Sequence, residues 1–280
     1  MKAYNIILHN IEFTFYVYES ASYENLNYSP PHIHALPELF IILDGDAVIS
    51  GDFGSQEITN GEICLIPPKI YHDIINTSSY RRLAIKFSIK KIENKSSIDL
   101  FSFFSQVITK DTPLKTAFSP ILAAEIFNCL KKETPFYDEK LKGLLLLVFI
   151  EFSESLYKNS EFLQTTEIPN MKKSKAFWLA ENDIILHNYA CSDYSTKELE
   201  QTLFLTCRQI SRILLAEYGM NLNEYRIETR MRRALFFLQK TNKTLSEISE
   251  ILNFSSKESF NVCFKNHYGF SPLWARKNKK

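Results

Sequence analysis

Hydrophobic residues change their rhythm along this 280-residue chain. Over 4–90 they fall in short apolar or alternating runs: FTFYVY (13–18), ELFIIL (38–43), AVIS (47–50), EICLIP (62–67) and RLAIKFSI (82–89). DGD, GDFGS and NG separate them. Period-two alternation, Ile/Val/Phe/Tyr enrichment and such turns predict antiparallel strands, and short strands at close spacing predict a small barrel or sandwich. After about Lys91 the period lengthens. Apolar positions at helical spacing run through 98–108 and 119–132. A longer helix is predicted over 139–158, with Leu141, Leu144, Leu145, Val148, Phe152 and Leu156 on its apolar side. That stripe fits two uses, the chain's own core or a strip left for a second copy. The stretch NSEFLQTTEIPNMKKSK (159–175) is polar, holds a proline and reads as linker. From about Lys175 the pattern is short helices with short turns. The division is therefore a β region over 1–90, a helical dimerisation region over 91–160, a linker over 161–174 and a helical domain over 175–280.

The last third nearly repeats itself. LLAEYGMNLNEYR (214–226) aligns with FKNHYGFSPLWAR (264–276) at an offset of 50, and Glu198-Leu199 falls on Glu247-Ile248 at an offset of 49. Ser195-x-x-Glu198 and Thr244-x-x-Glu247 are capping boxes, in which the hydroxyl takes an orphan helix N–H and the carboxylate reaches back. Thr206-x-x-Gln209 and Ser255-x-x-Glu258 fit the same pattern at the next helix of each unit. Gly219 and Gly269 stand where a left-handed C-cap belongs. Four boxes in two matched pairs predict two helix-turn-helix units, at about 195–217 and 244–267. In such a unit the second helix enters the major groove. Ile210, Ile213 and Leu214 form the buried stripe of the first reading helix, which leaves Arg208, Ser211 and Arg212 outward. Phe260, Cys263 and Phe264 form the stripe of the second, which leaves Lys257, Glu258, Asn261 and Val262 outward. Arginine pairs guanine through two donors, the commonest specific contact in the groove. The connecting helix, NEYRIETRMRRALFFLQK (223–240), has an inner face of Ile227, Met231, Ala234, Leu235 and Leu238. Its Arg226, Arg230, Arg232 and Arg233 are expected to supply charge, with Arg230 placed among the DNA contacts.

Charge supports a polyanionic partner for this end only. Residues 171–280 hold 18 Lys/Arg and 11 Asp/Glu, whereas the first 170 hold 15 and 21. The near-neutral whole thus joins an acidic part to a basic one. The remaining composition is ordinary for a protein that buries a core, with 45% apolar and 23% charged residues. The start, MKAYNIILHNIEF, does not read as a signal peptide, and the longest apolar run, GLLLLVFI (143–150), is too short for a bilayer. Five scattered cysteines without CxxC are read as free thiols in a reducing cytoplasm.

Residues 175–280 resemble the DNA-binding domain of the AraC/XylS transcription regulators. The likeness rests on ENDIILHNYA, STKEL, RQISRILLAEYGMNLNEYRIETRMRRALFFLQKT and LSEISEILNFSSKESFNVCFKNHYGFSPLWAR. It implies a bihelical domain with one reading helix per unit. By motif position Arg208, Ser211 and Arg212 would read bases in the first helix, and Lys257 and Asn261 in the second. Two residues depart from the pattern. Val262 stands where the second helix usually carries Arg, which shifts that unit towards phosphate contacts. Asn253 stands at the turn glycine, and Asn tolerates the left-handed conformation.

The β region resembles a cupin barrel. His32-x-His34-x3-Glu38-x6-Gly45 matches the first cupin motif; Gly61-x5-Pro67 with His72 and Asn76 matches the second, with Lys69 at its second glycine. Two histidines at i and i+2 on a strand share a face. With Glu38 and His72 they offer a three-nitrogen, one-oxygen set suited to Fe, Mn, Ni or Zn. The same residues fit an effector pocket, as polar anchors in an apolar cavity, or a purely structural role. Beside a regulator's DNA-binding domain, the effector pocket is the favoured reading, with no cofactor and no catalytic residue assigned.

The fold class expected is α+β multidomain: a cupin-like β-barrel with a helical dimerisation region, then an all-α double helix-turn-helix domain. The function expected is sequence-specific transcription regulation. Its partners would be double-stranded promoter DNA, a small-molecule effector such as a sugar, a second copy of the chain and RNA polymerase, without a membrane. The alternative is a cupin metalloenzyme, a dioxygenase or isomerase, with a helical appendage.

Overall fold

The computed structural model describes residues 2–18, 28–76, 81–93, 99–131, 135–159 and 173–278. Most of the expected linker lies outside them. The chain divides in the main into two compact units, which change over between Ala180 and Glu181.

The first unit holds ten strands: β1 (Lys2–Leu8), β2 (Ile11–Tyr18), β3 (Tyr28–His32), β4 (Glu38–Asp44), β5 (Asp46–Gly51), β6 (Gly54–Thr59), β7 (Glu62–Ile66), β8 (His72–Asn76), β9 (Arg81–Lys91) and β10 (Leu114–Ala117). They form a six-stranded sheet, β1-β2-β9-β4-β7-β10, and a four-stranded sheet, β3-β8-β5-β6. Register explains the layering. Phe13, Phe15 and Val17 lie opposite Ile89, Phe87 and Ile85; Leu39 and Ile41 lie opposite Ile85 and Leu83 on β9 and opposite Leu65 and Ile63 on β7. All of these share one face of the large sheet. Because side chains alternate, Phe40, Ile42, Cys64 and Ile66 take the other face, where they form a smaller core with Ala47, Ile49, Ile58 and Ile74 of the second sheet.

Three helices cover the first face: α1 (Leu100–Ile108), α2 (Pro120–Lys131) and α3 (Tyr137–Asn159). Phe104, Val107, Ile126, Leu141, Leu145, Val148, Phe149 and Phe152 join the sheet residues in one core. The apolar stripe of the long helix is thus filled by the chain itself, and the helical region shares the sheet's core. It also contributes a strand: β10 pairs with β7, Leu114 opposite Leu65.

The loop between β7 and β8 passes through Lys69 with φ +65°, where the second cupin motif has glycine. Its N–H bonds the His34 carbonyl at 2.8 Å, so the turn fixes the segment that carries the histidines. A left-handed non-glycine residue costs about 1–2 kcal/mol, and glycine's extra chain entropy offsets part of the relief. Lys69→Gly is therefore expected to raise the thermal midpoint of this unit by about 2–4 °C, for a gain of about 1 kcal/mol. An unchanged or lower midpoint in calorimetry would show that the lysine side chain compensates the strain.

The second unit is helical: α4 (Lys173–Cys191, which begins before the changeover), α5 (Thr196–Leu203), α6 (Cys207–Tyr218), α7 (Leu222–Lys240), α8 (Leu245–Ile251), α9 (Lys257–Tyr268) and α10 (Pro272–Lys277). Capping boxes start α5 at Ser195, α6 at Thr206 and α8 at Thr244, and Gly219 and Gly269 end α6 and α9 in the left-handed conformation. The fourth box differs from expectation. It is built by Ser256 and Ser259, not by Ser255 and Glu258. The reason is the turn. Phe204 and Asn253 both adopt φ +52°, 49 residues apart, but the second turn then has one more residue before its helix. The cap falls on Ser256, 50 residues after Thr206.

Helix α7 has 19 residues, about 28 Å of rod. Tyr225, Met231, Ala234, Phe236, Phe237 and Leu238 are buried on it, and Ile227, expected inside, is exposed.

Candidate functional site

Two places carry chemistry, one in each unit. In the helical unit α6 and α9 are matched 12-residue helices. Ile210 and Leu214 are buried in the first, and Phe260 and Phe264 in the second, at the offset of 50. Position by position, Arg208 then corresponds to Glu258, Ser211 to Asn261 and Arg212 to Val262. Lys257 corresponds to Cys207, not to an arginine. Arg208, Arg212, Lys257 and Val262 are exposed, whereas Ser211 and Asn261 are half-buried. The Leu222 N–H donates to Ser211 Oγ at 3.3 Å, so this hydroxyl helps to seat the start of α7. In the second unit Pro272 occupies the matching place and has no N–H to give. Asn261 Oδ1 there is buried without a hydrogen-bond partner among the described residues. Beside α9 an open groove of about 630 Å³ is lined by Thr244, Ser246, Lys257, Val262, Lys265 and Leu273, among others.

Arg230, expected at the DNA, is half-buried and bonded within the helical unit. Its Nε donates to the Ala190 carbonyl at 2.6 Å, and its guanidinium lies 5.3 Å from the centre of the Phe254 ring. Burial, then the charge of Arg226, lowers its pKa. The residue ties α7 to the end of α4 and to the turn before α9. A charge-assisted bond of this kind contributes about 1.5–3 kcal/mol. Arg230→Gln is expected to lower the unfolding free energy of the helical unit by that amount while affecting matched and scrambled duplexes alike. A loss confined to the matched duplex, with stability unchanged, would return Arg230 to the reading surface. Arg226 plays a similar part, stacked 5.0 Å over Tyr189.

In the β unit the cupin-motif residues converge. Glu38 starts β4 on the face it shares with Phe40 and Ile42, and His72 starts β8 on the face it shares with Ile74, so both point between the sheets. His34 Nε2 is 3.2 Å from Glu38 Oε2, and the His34 and His72 rings meet edge to face at 4.9 Å. His32, His34 and His72 each offer a ring nitrogen within 4.8 Å of the others. Every Nδ1 of the three faces a backbone carbonyl: Pro30 at 3.0 Å for His32, Leu36 at 2.6 Å for His34 and Ile70 at 3.0 Å for His72. A carbonyl only accepts, so each Nδ1 carries a proton.

Further polar residues join this cluster, and of them sequence reasoning names only Asn76. Lys86 lies directly across the strands from Glu38, and Tyr16 directly across from Lys86. Ser88 and Asn76 share the inward faces of β9 and β8. All four are buried. The signal was present in KFSIK (86–90): Phe87 and Ile89 go to the helices, so Lys86 and Ser88 must go between the sheets. Burial alone would raise the Glu38 carboxyl. The hydrogen bond and charge of His34, then Lys86 and His72, outweigh it and hold the group ionised, well below the usual carboxylate range. Burial, then the charge of His34, pushes His72 down to about 3, against the pull of Glu38. His72 is therefore neutral near pH 7 and keeps its Nε2 lone pair.

Residues 16–149 match the model of the AraC-like ligand-binding domain, and 199–278 match a helix-turn-helix domain. The chain is 23% identical to the Msm operon regulatory protein of Streptococcus mutans over 258 residues, 85% of this chain and 83% of that protein. It is 23% identical to LumQ of Photobacterium leiognathi, a probable transcriptional regulator, over 255 residues, 86% of this chain and 89% of that one. A crystal structure of an apo ToxT variant from Vibrio cholerae covers 96% of this chain and 98% of its own, at 15% identity and a TM-score of 0.39. Fold and matches together define a DNA-binding transcription regulator with a ligand-binding domain. The chain carries both domains of an AraC-type regulator, an AraC-like ligand-binding domain and a helix-turn-helix domain.

Proposed function

We propose that this chain is a one-component regulator in which a small polar effector, bound between the β-sheets, changes how the two reading helices engage promoter DNA. One observation carries the reading of the pocket: seven polar side chains are buried, Tyr16, Glu38, His72, Asn76, Lys86 and Ser88 on inward faces of strands and His34 in the segment between β3 and β4. A hydroxyl-rich molecule such as a sugar offers both donors and acceptors to a polar set of this kind. The DNA contacts are assigned to Arg208 and Arg212 on α6, and to Lys257 and the outer face of α9. The regulator acts without catalysis in this reading, in the cytoplasm, as a homodimer that contacts RNA polymerase at the promoter. Among the described residues no helix is long and apolar enough to cross a membrane.

The test is thermal unfolding of the full chain against a panel of monosaccharides and hydroxy acids, followed by DNA binding with each hit. A ligand at 100 times its Kd stabilises by about 2.7 kcal/mol, and Glu38→Gln is expected to abolish the shift. A panel-wide absence of any shift, with DNA binding unaltered, would overturn the polar-effector reading.

A second reading has its own observation, three imidazoles that each bring one ring nitrogen within 4.8 Å of the others, beside an ionised carboxylate. Backbone-anchored Nδ1–H groups are the usual outer partners of metal-binding histidines, and three nitrogens with one oxygen suit Zn, Ni, Fe or Mn. His32, His34, His72 and Glu38 would hold the ion. The full chain, loaded with each metal and dialysed, would retain one equivalent, and the Co(II) form would show visible absorption that His72→Ala removes. Retention below a tenth of an equivalent, as an order-of-magnitude threshold, rejects the ion.

A further inference from the structure

We propose that the two reading helices demand different base chemistry. On this view α6 reads guanine through Arg208 and Arg212, whereas α9 reads thymine, through contact of the Val262 side chain with the 5-methyl group. The inference rests on the DNA-reading role assigned to these helices and names what the second of them recognises.

The argument starts from the repeat. Val262 occupies on α9 the place that Arg212 occupies on α6, four positions beyond Glu258 and Arg208 respectively, on helices of equal length with matching caps and buried stripes. A guanidinium at that place offers two donors to guanine O6 and N7. An isopropyl group offers none and can recognise only an apolar feature. In the major groove the one apolar feature of a base edge is the thymine methyl. Val262 shares an open groove with Leu245, Pro272 and Leu273, but that setting leaves it largely exposed. A β-branched residue is a poor choice for an exposed helix position, and Val262 is 61% exposed. Its surroundings fit a duplex better than an apolar protein partner, because Lys257 and Lys265 line the same groove and can pair with phosphates on either side of the contact. Asn261 beside it is half-buried with its Oδ1 turned away from solvent, which leaves Val262 as the more exposed of the two.

A binding site of two unlike halves follows, one with guanine under α6 and one with a required thymine under α9. The experiment uses the full chain. A random duplex library is selected on it, and the enriched duplex is remade with each thymine in turn replaced by deoxyuridine. That change removes the methyl and leaves base pairing intact. One replacement in the α9 half is expected to weaken wild-type binding about fourfold, the value of one buried methyl-sized group, and to have no effect on Val262→Ala. Val262→Arg is expected to select guanine there instead. An enriched duplex on which every deoxyuridine replacement changes affinity by less than about 1.5-fold, or weakens Val262→Ala equally, would overturn the thymine contact and leave the regulator reading standing. If Val262→Ala selects and binds like the wild type, the contact is likewise overturned, and the Val262–Leu273 face goes to a protein partner. Enrichment of no sequence at all would remove the DNA-reading role, and the inference with it.

Discussion

Phe149→Ala is expected to lower the unfolding free energy of the β unit by about 3–5 kcal/mol, the range for emptying a fully buried aromatic site. The position is the hub of the core between the large sheet and α3. The Phe149 ring centre lies 4.9 Å from Phe13, 4.6 Å from Phe15, 4.7 Å from Phe87 and 5.6 Å from Phe104, at tilted or perpendicular angles. Four aromatic neighbours on two strands and a second helix cannot all move into the space, so a cavity remains and its cost adds to the lost burial. Aromatic pairs of this geometry add about 0.5–1.5 kcal/mol beyond area. Denaturant titration of the full chain measures the effect. Leu147→Ala, at a site 50% exposed on the same helix, serves as control and should change stability by no more than about 0.5 kcal/mol. A loss below about 1 kcal/mol at Phe149 would mean that α3 does not pack on the sheet as described.

The double variant Arg208→Ala/Arg212→Ala is expected to lose matched-duplex affinity by on the order of 10²- to 10³-fold with an unchanged melting temperature. Each bidentate arginine–guanine pair discriminates by about 1–3 kcal/mol. The two residues are one helical turn apart, so their effects need not add in full. Both side chains are exposed, which is why the fold should tolerate the change. The comparison with a scrambled duplex decides the role. Base readers lose the matched site far more than the scrambled one, while phosphate binders lose both alike and reduce the salt slope by about one per residue.

Much of this was legible in the sequence, and the misses have physical causes. The helix-turn-helix units could be read because caps, apolar stripes and C-terminal glycines are local signals that agree with one another. The box at Ser255 was misplaced because two adjacent serines offer the same chemistry, and only the extra turn residue selects Ser256. Strands β3, β6 and β10 went unread because YSPPH, GSQEIT and LKTA lack alternating hydrophobicity. They are ordered by the neighbours they pair with. The internal bond of Arg230 could not be read, because a basic residue on a basic domain carries no sign of an intramolecular partner and its bond to Ala190 spans 40 residues. The histidines, Glu38 and Asn76 could be read from their spacing, whereas Lys86, Tyr16 and Ser88 become visible only once strand register fixes which alternate residues face inward.

The central claim is that two matched helices of the C-terminal unit read DNA, and its most direct measurement is competition binding of the full chain. A duplex enriched from a random pool is set against its scrambled counterpart across a series of salt concentrations. The expected result is a preference of about 10³-fold or more for the enriched duplex at physiological salt, with affinity for both falling linearly on a double-logarithmic salt plot. Equal affinity for the two duplexes at every salt concentration would contradict the claim.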